Sequence, residues 1–510
     1  MKNKSIDMLN SSLWKTIFIF ALPLIFSNLL QVLFNMSDIV VVGKFGGKNS
    51  LGAVGSTTIL VSLFTGLLIG MGSAVNAITA KRIGASDEVG VKKFIHSSLI
   101  IIFSFGLLLL VLGFLSGNAL LRLLKTKDTF IDSATMYLQI YMLGMPALAI
   151  YNYGQGILSA EGKTIKPLIY LAIAGVVNII LNLILVIVFK LDVMGVAIAS
   201  VVSQYLSMIL ILISLFRSKD VCKLEIKCLK TDRTCIKELL ILGLAGGIQN
   251  SLFAISNLFI QSAVNSFDDA TVSGNSAAQN FDSLVYDILA AFYIACSTFV
   301  GQNYGAGKKQ RIKDAFLITV VYSFGIGLFI GLILFIFGDK CIRIFTDDPD
   351  LITAGLPRLK IMGLSYAISA FMDVPIAASR GLGKAFWPMA FEILGVCVLR
   401  IVWVYTVFAH FHTIASLYLL YSASWIVTGI LETIYFIKTY KKLQYAWFIL
   451  KTIELIFQKE YIWKCTWRLT KKKWITILLE NACSLFKNMW RRYIEKYLFS
   501  LNLENLSSID

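Results

Sequence analysis

Residues 21–43 read ALPLIFSNLLQVLFNMSDIVVVG, a stretch long and apolar enough to cross a bilayer as a helix. Its polar residues are spaced three, four and three apart, namely Asn28, Gln31, Asn35 and Asp38. This spacing places them on one helical face. Pro23 removes a backbone hydrogen bond and is expected to bend the helix, so we predict a hinge there. The stretch predicts a membrane helix with a polar stripe.

The composition of the 510-residue chain extends this prediction to the whole protein. Hydrophobic residues make up 57% and charged residues 15%, against about 25% charged in soluble domains. Such a chain cannot cover itself with polar surface, which excludes a soluble multidomain protein and a disordered one. The eight cysteines form no CxxC pair, so neither a disulfide scaffold nor a zinc module is indicated. We therefore expect an integral membrane protein.

Twelve stretches satisfy the length and apolarity of a membrane helix. They cover residues 13–42, 51–78, 94–116, 133–159, 166–189, 193–216, 236–264, 273–300, 314–338, 354–379, 386–409 and 413–437. The alternation typical of barrel strands is absent, which predicts an all-α polytopic protein. Lys and Arg concentrate in the loops after the even-numbered spans, so both termini are expected in the cytoplasm and the protein in the inner (cell) membrane.

An internal repeat divides these spans into two sets of six. A shift of 221 residues aligns Gly162, Lys163 and Pro167 with Gly383, Lys384 and Pro388. Because six spans separate the copies, both halves have the same orientation, which predicts two lobes about a pseudo-twofold axis along the membrane normal. The predicted units are an N-lobe (1–216), a cytoplasmic inter-lobe loop (217–238), a C-lobe (239–440) and a basic, Trp-rich cytoplasmic tail (441–510).

The tail has two interpretations. Its apolar runs are interrupted by charges, so it would not span the bilayer, and amphipathic segments on the anionic inner leaflet are the physical reading. A shifted reading frame or annexed sequence is the rival. We expect it to bind no nucleic acid.

Polar residues within the spans are candidate functional residues, because an intramembrane acid costs about 2.5–3.5 kcal/mol on insertion scales. The Asp38 carboxylate could take up a proton, or could join neighbouring amide oxygens as a Na⁺ ligand; interhelical hydrogen bonding is the structural alternative for the amides. Further N-lobe candidates are Tyr151, Asn152, Gln155, Asn178, Asn182 and Ser200, and C-lobe candidates are Asn257, Gln261, Asp282, Asp287 and Asp373. Glu392 and Arg400, eight residues apart, are expected to form a structural pair.

No motif indicates an enzyme or a nucleotide-driven pump. The only GKT, at 162–164, has Ile157 where a phosphate loop needs Gly. No cofactor is therefore expected, and transport would run passively or on a gradient of H⁺ or Na⁺.

The chain resembles the multidrug and toxic compound extrusion (MATE) family over roughly residues 8–440. The resemblance rests on Pro23, Asp38 and Gly43 in the first span and on the segments ITAKRIGAS, SAEGKTIKP, VNIILN, FVGQNYGAGKKQR and ASRGLGKAFWP. It implies a secondary transporter that exports cationic or aromatic drugs and metabolites by H⁺ or Na⁺ antiport, through alternating access of two lobes.

The resemblance also implies roles for individual residues. Asp38 matches the acid that binds the coupling cation, with Asn178 beside it; Asn182 stands where many members have a second Asp, and Ser200 where they have Thr. Asn152 or Gln155 would supply a fourth-span amide, and Asp373 matches an acid that one branch uses in its second lobe. The missing carboxylate at Asn182 weakens the case for Na⁺ more than for H⁺. The remaining candidates, Asn28, Gln31, Asn35, Tyr151, Asn257, Gln261, Asp282 and Asp287, are expected to line the substrate cavity.

Two rival functions remain at this point. A flippase for lipid-linked saccharides would need basic residues to meet phosphates, and Arg400 is the clearest one within the spans. A sensor or scaffold would act through the tail. The expected partners are small-molecule substrates and the lipid bilayer, and the protein is expected to be a monomer.

Overall fold

The computed structural model describes residues 5–47, 50–124, 126–344 and 347–467, and in these ranges the chain forms helices and no strands. Twelve membrane helices are present when one bent pair is counted as a single span. They are α1 (Leu13–Phe45), α2 (Ser50–Gly84), α3 (Glu88–Leu123), α4 (Ile131–Met142 and Met145–Ala160), α5 (Ile165–Val188), α6 (Asp192–Phe216), α7 (Arg233–Val264), α8 (Asp269–Gly305), α9 (Lys309–Ile342), α10 (Pro349–Gly381), α11 (Phe386–Phe411) and α12 (Ile414–Trp467). The predicted all-α polytopic fold is confirmed.

The bend in α4 was not expected from the sequence, where residues 133–159 read as one span. The two segments meet at 46°, and Pro146 lies in the first turn of the second segment. Proline has no backbone N–H and favours the start of a helix over its interior. The pair therefore forms one broken span.

The 221-residue repeat is visible in the backbone itself. Gly162 (φ 79°) and Gly383 (φ 76°) both adopt the left-handed conformation, as do Ser86 (φ 55°) and Gly307 (φ 67°). Each pair is separated by the offset found in the sequence, and the turns that these residues form precede corresponding helices. The two lobes, α1–α6 and α7–α12, are thus copies of one six-helix unit.

Local π-helical turns interrupt the fifth helix of each lobe. In α5 the turn covers Ile184–Val188, and in α11 two such turns cover Ile393–Val398 and Val404–Phe408. The turn at Val404–Phe408 lies one residue from the position that the repeat assigns to Ile184–Val188. π-turns change the direction of side chains and occur frequently at functional sites. Here they follow Asn182 in α5 and Glu392 in α11.

The two lobes pack closely where α2 meets α8. Thr298 Oγ1 donates to Asn76 Oδ1 of α2 at 3.0 Å, and nearby Gln302 Nε2 donates to the carbonyl of Ala160 at the end of α4 at 2.7 Å. Gly84 and Gly305, which are repeat-related, each lie so near the opposite helix that a Cβ would overlap a backbone carbonyl there. Glycine at both positions lets the helices approach this closely.

The segment before α1 contacts both lobes at this same end of the bundle, which we call the N-terminal face. The amide of Ile6 donates to the carbonyl of Gly162 in the N-lobe at 3.4 Å. The carbonyl of Met8 accepts from Asn303 Nδ2 at 3.2 Å and from Arg311 Nη2 at 3.0 Å, both in the C-lobe. The N-terminal face is therefore closed by direct contacts between the lobes and by this segment.

Two compact units divide the chain, Met1–Thr439 and Tyr440–Asp510. The first contains both lobes. In the second, the chain is helical to Trp467, and the remainder of the predicted membrane-surface tail, 468–510, lies outside the described residues.

Candidate functional site

Asp38 in α1 is the centre of a buried polar cluster in the N-lobe. Asn182 Nδ2 donates to Asp38 Oδ1, and Ser200 Oγ donates to Asp38 Oδ2 at 2.9 Å. Asn178 completes the cluster, because its Oδ1 accepts from Asn182 Nδ2 at 3.2 Å and its Nδ2 lies 3.5 Å from Ser200 Oγ. All four side chains are buried.

Three helices supply these residues, each for a local reason. Asn178 and Asn182 are one turn apart on α5, so both point from the same face. The π-turn Ile184–Val188 begins just beyond Asn182. Ser200 lies on α6. The turn between α5 and α6 contains Lys190 and Asp192, which both have positive φ. The cluster therefore depends on packing of α5 and α6 against α1 and on no single loop.

The chemistry of the cluster is that of a carboxylate surrounded by neutral groups. One oxygen of Asp38 accepts a hydrogen bond from an amide and the other accepts one from a hydroxyl. Both bonds stabilise the ionised form of the carboxylate. Asn182 Oδ1 is buried and accepts no hydrogen bond. The site thus has one acid, donors on both of its oxygens, and one unused acceptor.

The residues could hold a proton more readily than a metal ion. Among the described residues no group of three His, Cys, Asp or Glu side chains could hold a metal. Na⁺ prefers several oxygen ligands, whereas here the Asn182 amide nitrogen and the Ser200 hydroxyl face Asp38 as donors. A proton needs only one carboxylate oxygen and an acceptor.

The other predicted N-lobe residues lie apart from Asp38. Asn152 Nδ2 donates to the carbonyl of Leu148 on its own helix at 2.9 Å, and Gln155 is half-buried one turn further along. The prediction that Tyr151 lines the cavity is wrong for this conformation. Its ring is fully buried and its hydroxyl donates to the carbonyl of Pro167 at 3.3 Å, so it holds α4 against α5.

The polar stripe of α1 does not act as one unit. Asn28 Nδ2 donates to the carbonyl of Asp287 in α8 at 2.8 Å, which links α1 to the other lobe. Gln31 and Asn35 are exposed. At the predicted hinge, α1 continues as a helix through Pro23, and Ser27 Oγ donates to the carbonyl of Pro23 at 2.9 Å.

In the C-lobe, Asp282 is neutralised and does not present a free charge to a cavity. Arg358 of α10 donates from Nε to Asp282 Oδ2 at 2.7 Å, and Tyr366 donates to the other oxygen. The Arg358 guanidinium also donates to Asn275 Oδ1 at 2.7 Å and faces the ring of Tyr418. Asp282 therefore carries its charge within an ion pair, and its place in the substrate cavity stays a prediction.

Two further C-lobe candidates make local contacts. Gln261 Nε2 donates to Asn265 Oδ1 at 2.9 Å, one turn along α7. Asn257 Oδ1 accepts from Arg400 Nη1 at 3.4 Å. Asp287 is half-buried in α8, where its backbone carbonyl accepts the hydrogen bond from Asn28 Nδ2.

The expected pair of Glu392 and Arg400 does not form. Arg400 is fully buried and donates to Ser424 Oγ at 3.2 Å as well as to Asn257, with Tyr421 below its guanidinium plane. Glu392 Oε2 has no hydrogen-bond partner. The π-turn Ile393–Val398 lies between them, and it breaks the 3.6-residue periodicity on which the prediction relied.

Asp373 lies in the core of the C-lobe, seven residues before Arg380 on the same helix. Its Oδ2 is buried without a hydrogen bond, while Tyr286 and Tyr293 of α8 face the carboxylate. Sequence reasoning did not single out Glu432 in α12, which is also fully buried and unpartnered. The sequence feature that could have identified Glu432 is that it is a single acid inside an apolar span.

Comparisons with known proteins agree with this architecture. The MatE family model matches residues 23–184 and 247–406. The probable multidrug resistance proteins YpnP and YoeA of Bacillus subtilis are 28% and 25% identical to the chain, over 78% and 76% of it and 89% and 85% of their own lengths. A MOP superfamily transporter from Pyrococcus furiosus superposes with a TM-score of 0.81 at 21% identity, covering 87% of this chain and 99% of its own.

Proposed function

The chain belongs to the multidrug and toxic compound extrusion (MATE) family of membrane transporters, and on that basis we propose that it exports cationic or aromatic compounds by H⁺ antiport at Asp38. The observation that supports this most directly is the Asp38 cluster, which joins α1 to α5 and α6 through one carboxylate. Its chemistry favours H⁺ over Na⁺, since no second carboxylate accompanies Asp38 among the residues that bond to it.

The proton would act by reversing a hydrogen bond. In the ionised state the Asn182 amide nitrogen donates to Asp38 Oδ1. A protonated Asp38 donates instead, and Asn182 Oδ1, which has no partner now, accepts once the amide has rotated. That rotation removes the Asn182 donor from Asn178, so the contacts of α5 with α1 change with the proton. Coupling requires only that the proton binds the two conformations unequally.

Substrate would be released at the end of the bundle opposite the N-terminal face. With that face sealed by the contacts of α8 with α2 and α4 and by residues 5–12, access to the cavity would be from the opposite end. We place the N-terminal face in the cytoplasm on the distribution of Lys and Arg, which makes the present conformation outward-facing. The protein would lie in the cell membrane with both termini inside, and it would need no resident cofactor. It would function as a monomer.

The test is ethidium efflux into inverted membrane vesicles with pH and Na⁺ gradients imposed separately. We expect a pH gradient alone to drive transport by the wild type, and Asp38→Asn to reduce it to the level of vesicles without the protein. Asp128→Asn, which makes the same chemical change at an exposed loop residue, should transport normally. Transport by Asp38→Asn at the wild-type rate, or transport by the wild type that needs Na⁺, would contradict the proposal.

A further inference from the structure

α1 of the N-lobe and α8 of the C-lobe meet at the hydrogen bond from Asn28 Nδ2 to the backbone carbonyl of Asp287. A stripe of polar residues on each helix includes this contact. The α1 stripe consists of Asn28, Gln31 and Asn35, and the α8 stripe consists of Asp287, Ser283, Asn280 and Ser276. Spacings of three and four residues keep each stripe on one helical face. Because the stripes touch at Asn28 and Asp287, each is on the side of its helix that is directed at the other lobe.

Both stripes extend from this contact away from the N-terminal face. α1 begins at that face, after residues 5–12, whereas α8 ends there, at Gly305. At a rise of about 1.5 Å per residue, the α1 stripe reaches about 10 Å beyond the contact and the α8 stripe about 16 Å. The two stripes therefore form opposite walls of a cleft between the lobes, with its closed end at Asn28 and Asp287.

The composition of the α8 stripe shows that it is directed at water and not at lipid. Between residues 276 and 287, four of the five exposed residues are polar, namely Ser276, Gln279, Asn280 and Ser283, and the fifth is Leu284. On the next helix, α9, every exposed residue between Leu317 and Ile336 is apolar. Hydrocarbon chains offer polar groups no hydrogen bonds, so a lipid-facing surface has the composition of α9.

α1 has surfaces of both kinds. Phe26, Leu33 and Val40 are exposed and recur every seven residues, and Leu33 is about 200° around the helix from Gln31. The apolar surface of α1 is thus opposite its polar stripe, and the exposed side chains of Gln31 and Asn35 are on the side of the cleft.

The α8 wall presents mainly hydrogen-bond acceptors. Asn280 Nδ2 donates to the carbonyls of Ser276 and Ala277 at 3.1 and 3.4 Å, and Ser276 Oγ donates to that of Val272 at 2.9 Å. Since these hydrogens are used within α8, Asn280 Oδ1 and Ser276 Oγ present lone pairs to a ligand. Asp287, half-buried at the closed end, adds a carboxylate.

The four helices that meet across the lobes add no positive charge to the cleft. No Lys or Arg occurs in residues 16–43 of α1, 50–80 of α2, 239–264 of α7 or 269–305 of α8. An anionic ligand would therefore find no counter-charge on these helices. An apolar ligand would displace water from the acceptors without replacing its hydrogen bonds. A protonated amine and hydroxyl groups supply the charge and the donors that this surface lacks.

We propose that the cleft binds hydrophilic amines, which are molecules that combine a protonated amine with several hydroxyl groups. The amine binds beside Asp287, and the hydroxyl groups bind along the two stripes. This inference rests on the proposed export function, and it narrows the cationic substrates to a class that is recognised by hydrogen bonds.

Binding to the purified protein tests the preference for hydroxyl groups. Tritiated N-methylglucamine is brought to equilibrium with the protein in detergent by dialysis. It is then displaced by unlabelled N-methylglucamine or by N-methylhexylamine, which has the same skeleton and charge but no hydroxyl group. We expect N-methylhexylamine to require at least a roughly tenfold higher concentration, because it leaves the acceptors of the cleft unpaired. Displacement by N-methylhexylamine at an equal or lower concentration would overturn the proposal.

Substitutions in the α8 stripe test where this preference arises. Ser283→Val and Asn280→Leu remove polar groups from the cleft, and each should reduce the ratio between the two amines severalfold. Ser116→Val is the matched control on α3, where the hydroxyl donates to the carbonyl of Leu112, and it should keep the wild-type ratio. Asp287→Asn should weaken both amines alike, since both are charged. A wild-type ratio in both Ser283→Val and Asn280→Leu would refute the assignment of the cleft.

Transport by inverted vesicles separates this proposal from the H⁺ antiport. Under an imposed pH gradient, uptake of tritiated N-methylglucamine is measured, and ethidium transport is measured with each amine as competitor. Uptake of N-methylglucamine supports both proposals. Binding with the expected ratio but without uptake supports the cleft and contradicts the antiport. Ethidium transport that both amines inhibit equally supports the antiport and overturns the cleft.

Discussion

Asp38, the buried acid of the N-lobe, has a hydrogen bond on each carboxylate oxygen. Among the buried acids of the C-lobe, Asp373 and Glu392 each have one oxygen without a hydrogen bond, and Glu432 has two. Asp38 receives the Asn182 amide and the Ser200 hydroxyl, and no basic residue is among its partners. Neither oxygen of Glu432 accepts a hydrogen bond, although the positive charge of Arg380 acts on this carboxylate. The N-lobe surrounds its acid with neutral hydrogen-bond donors, and the C-lobe buries Glu432 without one.

The repeat makes this comparison residue by residue. At the 221-residue offset, the partners of the N-lobe site have apolar or aromatic counterparts. Asp38, Asn178, Asn182 and Ser200 correspond to Phe259, Leu399, Trp403 and Tyr421. In the other direction, Glu392 and Glu432 correspond to Leu171 and Ile211, and Asp373 to Asn152.

The two copies therefore share their backbone but not their polar interior. Positive-φ turns, helix starts and a π-turn coincide at the offset, because they follow from local sequence and packing. Intramembrane acids have diverged completely. The carboxylate of Asp38 is hydrogen-bonded on both oxygens and that of Glu432 on neither, so the same backbone holds acids in two different surroundings.

The largest expected effect comes from exchanging two buried residues that the repeat relates, Ile211 of the N-lobe and Glu432 of the C-lobe. Ile211 is fully buried against Gly154, and Ile211→Glu places a carboxylate where no donor has evolved. We expect a loss on the order of 5 kcal/mol in the free energy of unfolding. The reverse change, Glu432→Ile, removes an unpartnered acid and should leave stability unchanged or raise it. Equilibrium unfolding in mixed micelles measures both.

Equal destabilisation by the two exchanges would contradict the comparison, because it would mean that Glu432 is as well accommodated as Ile211. Ile211→Gln, which has the same size as the glutamate and no charge, is the control. It should lose less stability than Ile211→Glu, and the difference is the contribution of charge.

The compensated pair of the C-lobe gives the next largest effect. Arg358→Leu leaves Asp282, whose side chain is 13% exposed, without its cation, which is expected to cost about 3 kcal/mol of unfolding free energy. The double variant Arg358→Leu/Asp282→Leu removes both charges and should recover most of that loss. Thermal unfolding of the purified variants measures it. A double variant as unstable as the single one would show that packing, and not charge, explains the loss.

The fold was predictable because its signals are local. Span length and the loop residues that repeat at a 221-residue offset can both be read from short stretches of sequence, and eleven of the twelve spans appear as single helices. The exception, α4, breaks near Pro146, inside an apolar run that hydropathy alone reads as continuous.

The site was predictable only where helical spacing sufficed. The four-residue spacing of Asn178 and Asn182 placed them on one face, and their meeting with Asp38 came from the family resemblance, since the residues are 140 or more apart. Asp282 and Arg358 are 76 residues apart, and no pattern pairs them. Glu392 and Arg400 were paired wrongly, because π-turns are not visible in the sequence.

The smallest effect concerns the first helix of each lobe. Asp232 caps α7, accepting from the amides of Thr234 and Cys235 at 3.1 and 3.0 Å, whereas the N-cap of α1, Ser12, makes no side-chain cap bond. The hydrogen bond from Lys93, followed by that from the Cys235 amide, lowers the pKa of Asp232 from 3.8 to about 2. Because the folded-state pKa is the lower one, the stabilisation is complete above about pH 4 and is lost as pH falls towards 2.

Asp232→Ala should therefore lower the thermal unfolding temperature slightly at neutral pH, with the difference from the wild type shrinking as the pH is lowered through this range. Ser12→Ala should show no difference at any pH, since its hydroxyl caps nothing. A deficit for Asp232→Ala that is independent of pH would assign its role to packing. A deficit for Ser12→Ala of the same size would remove the asymmetry between the two repeat-related helix starts.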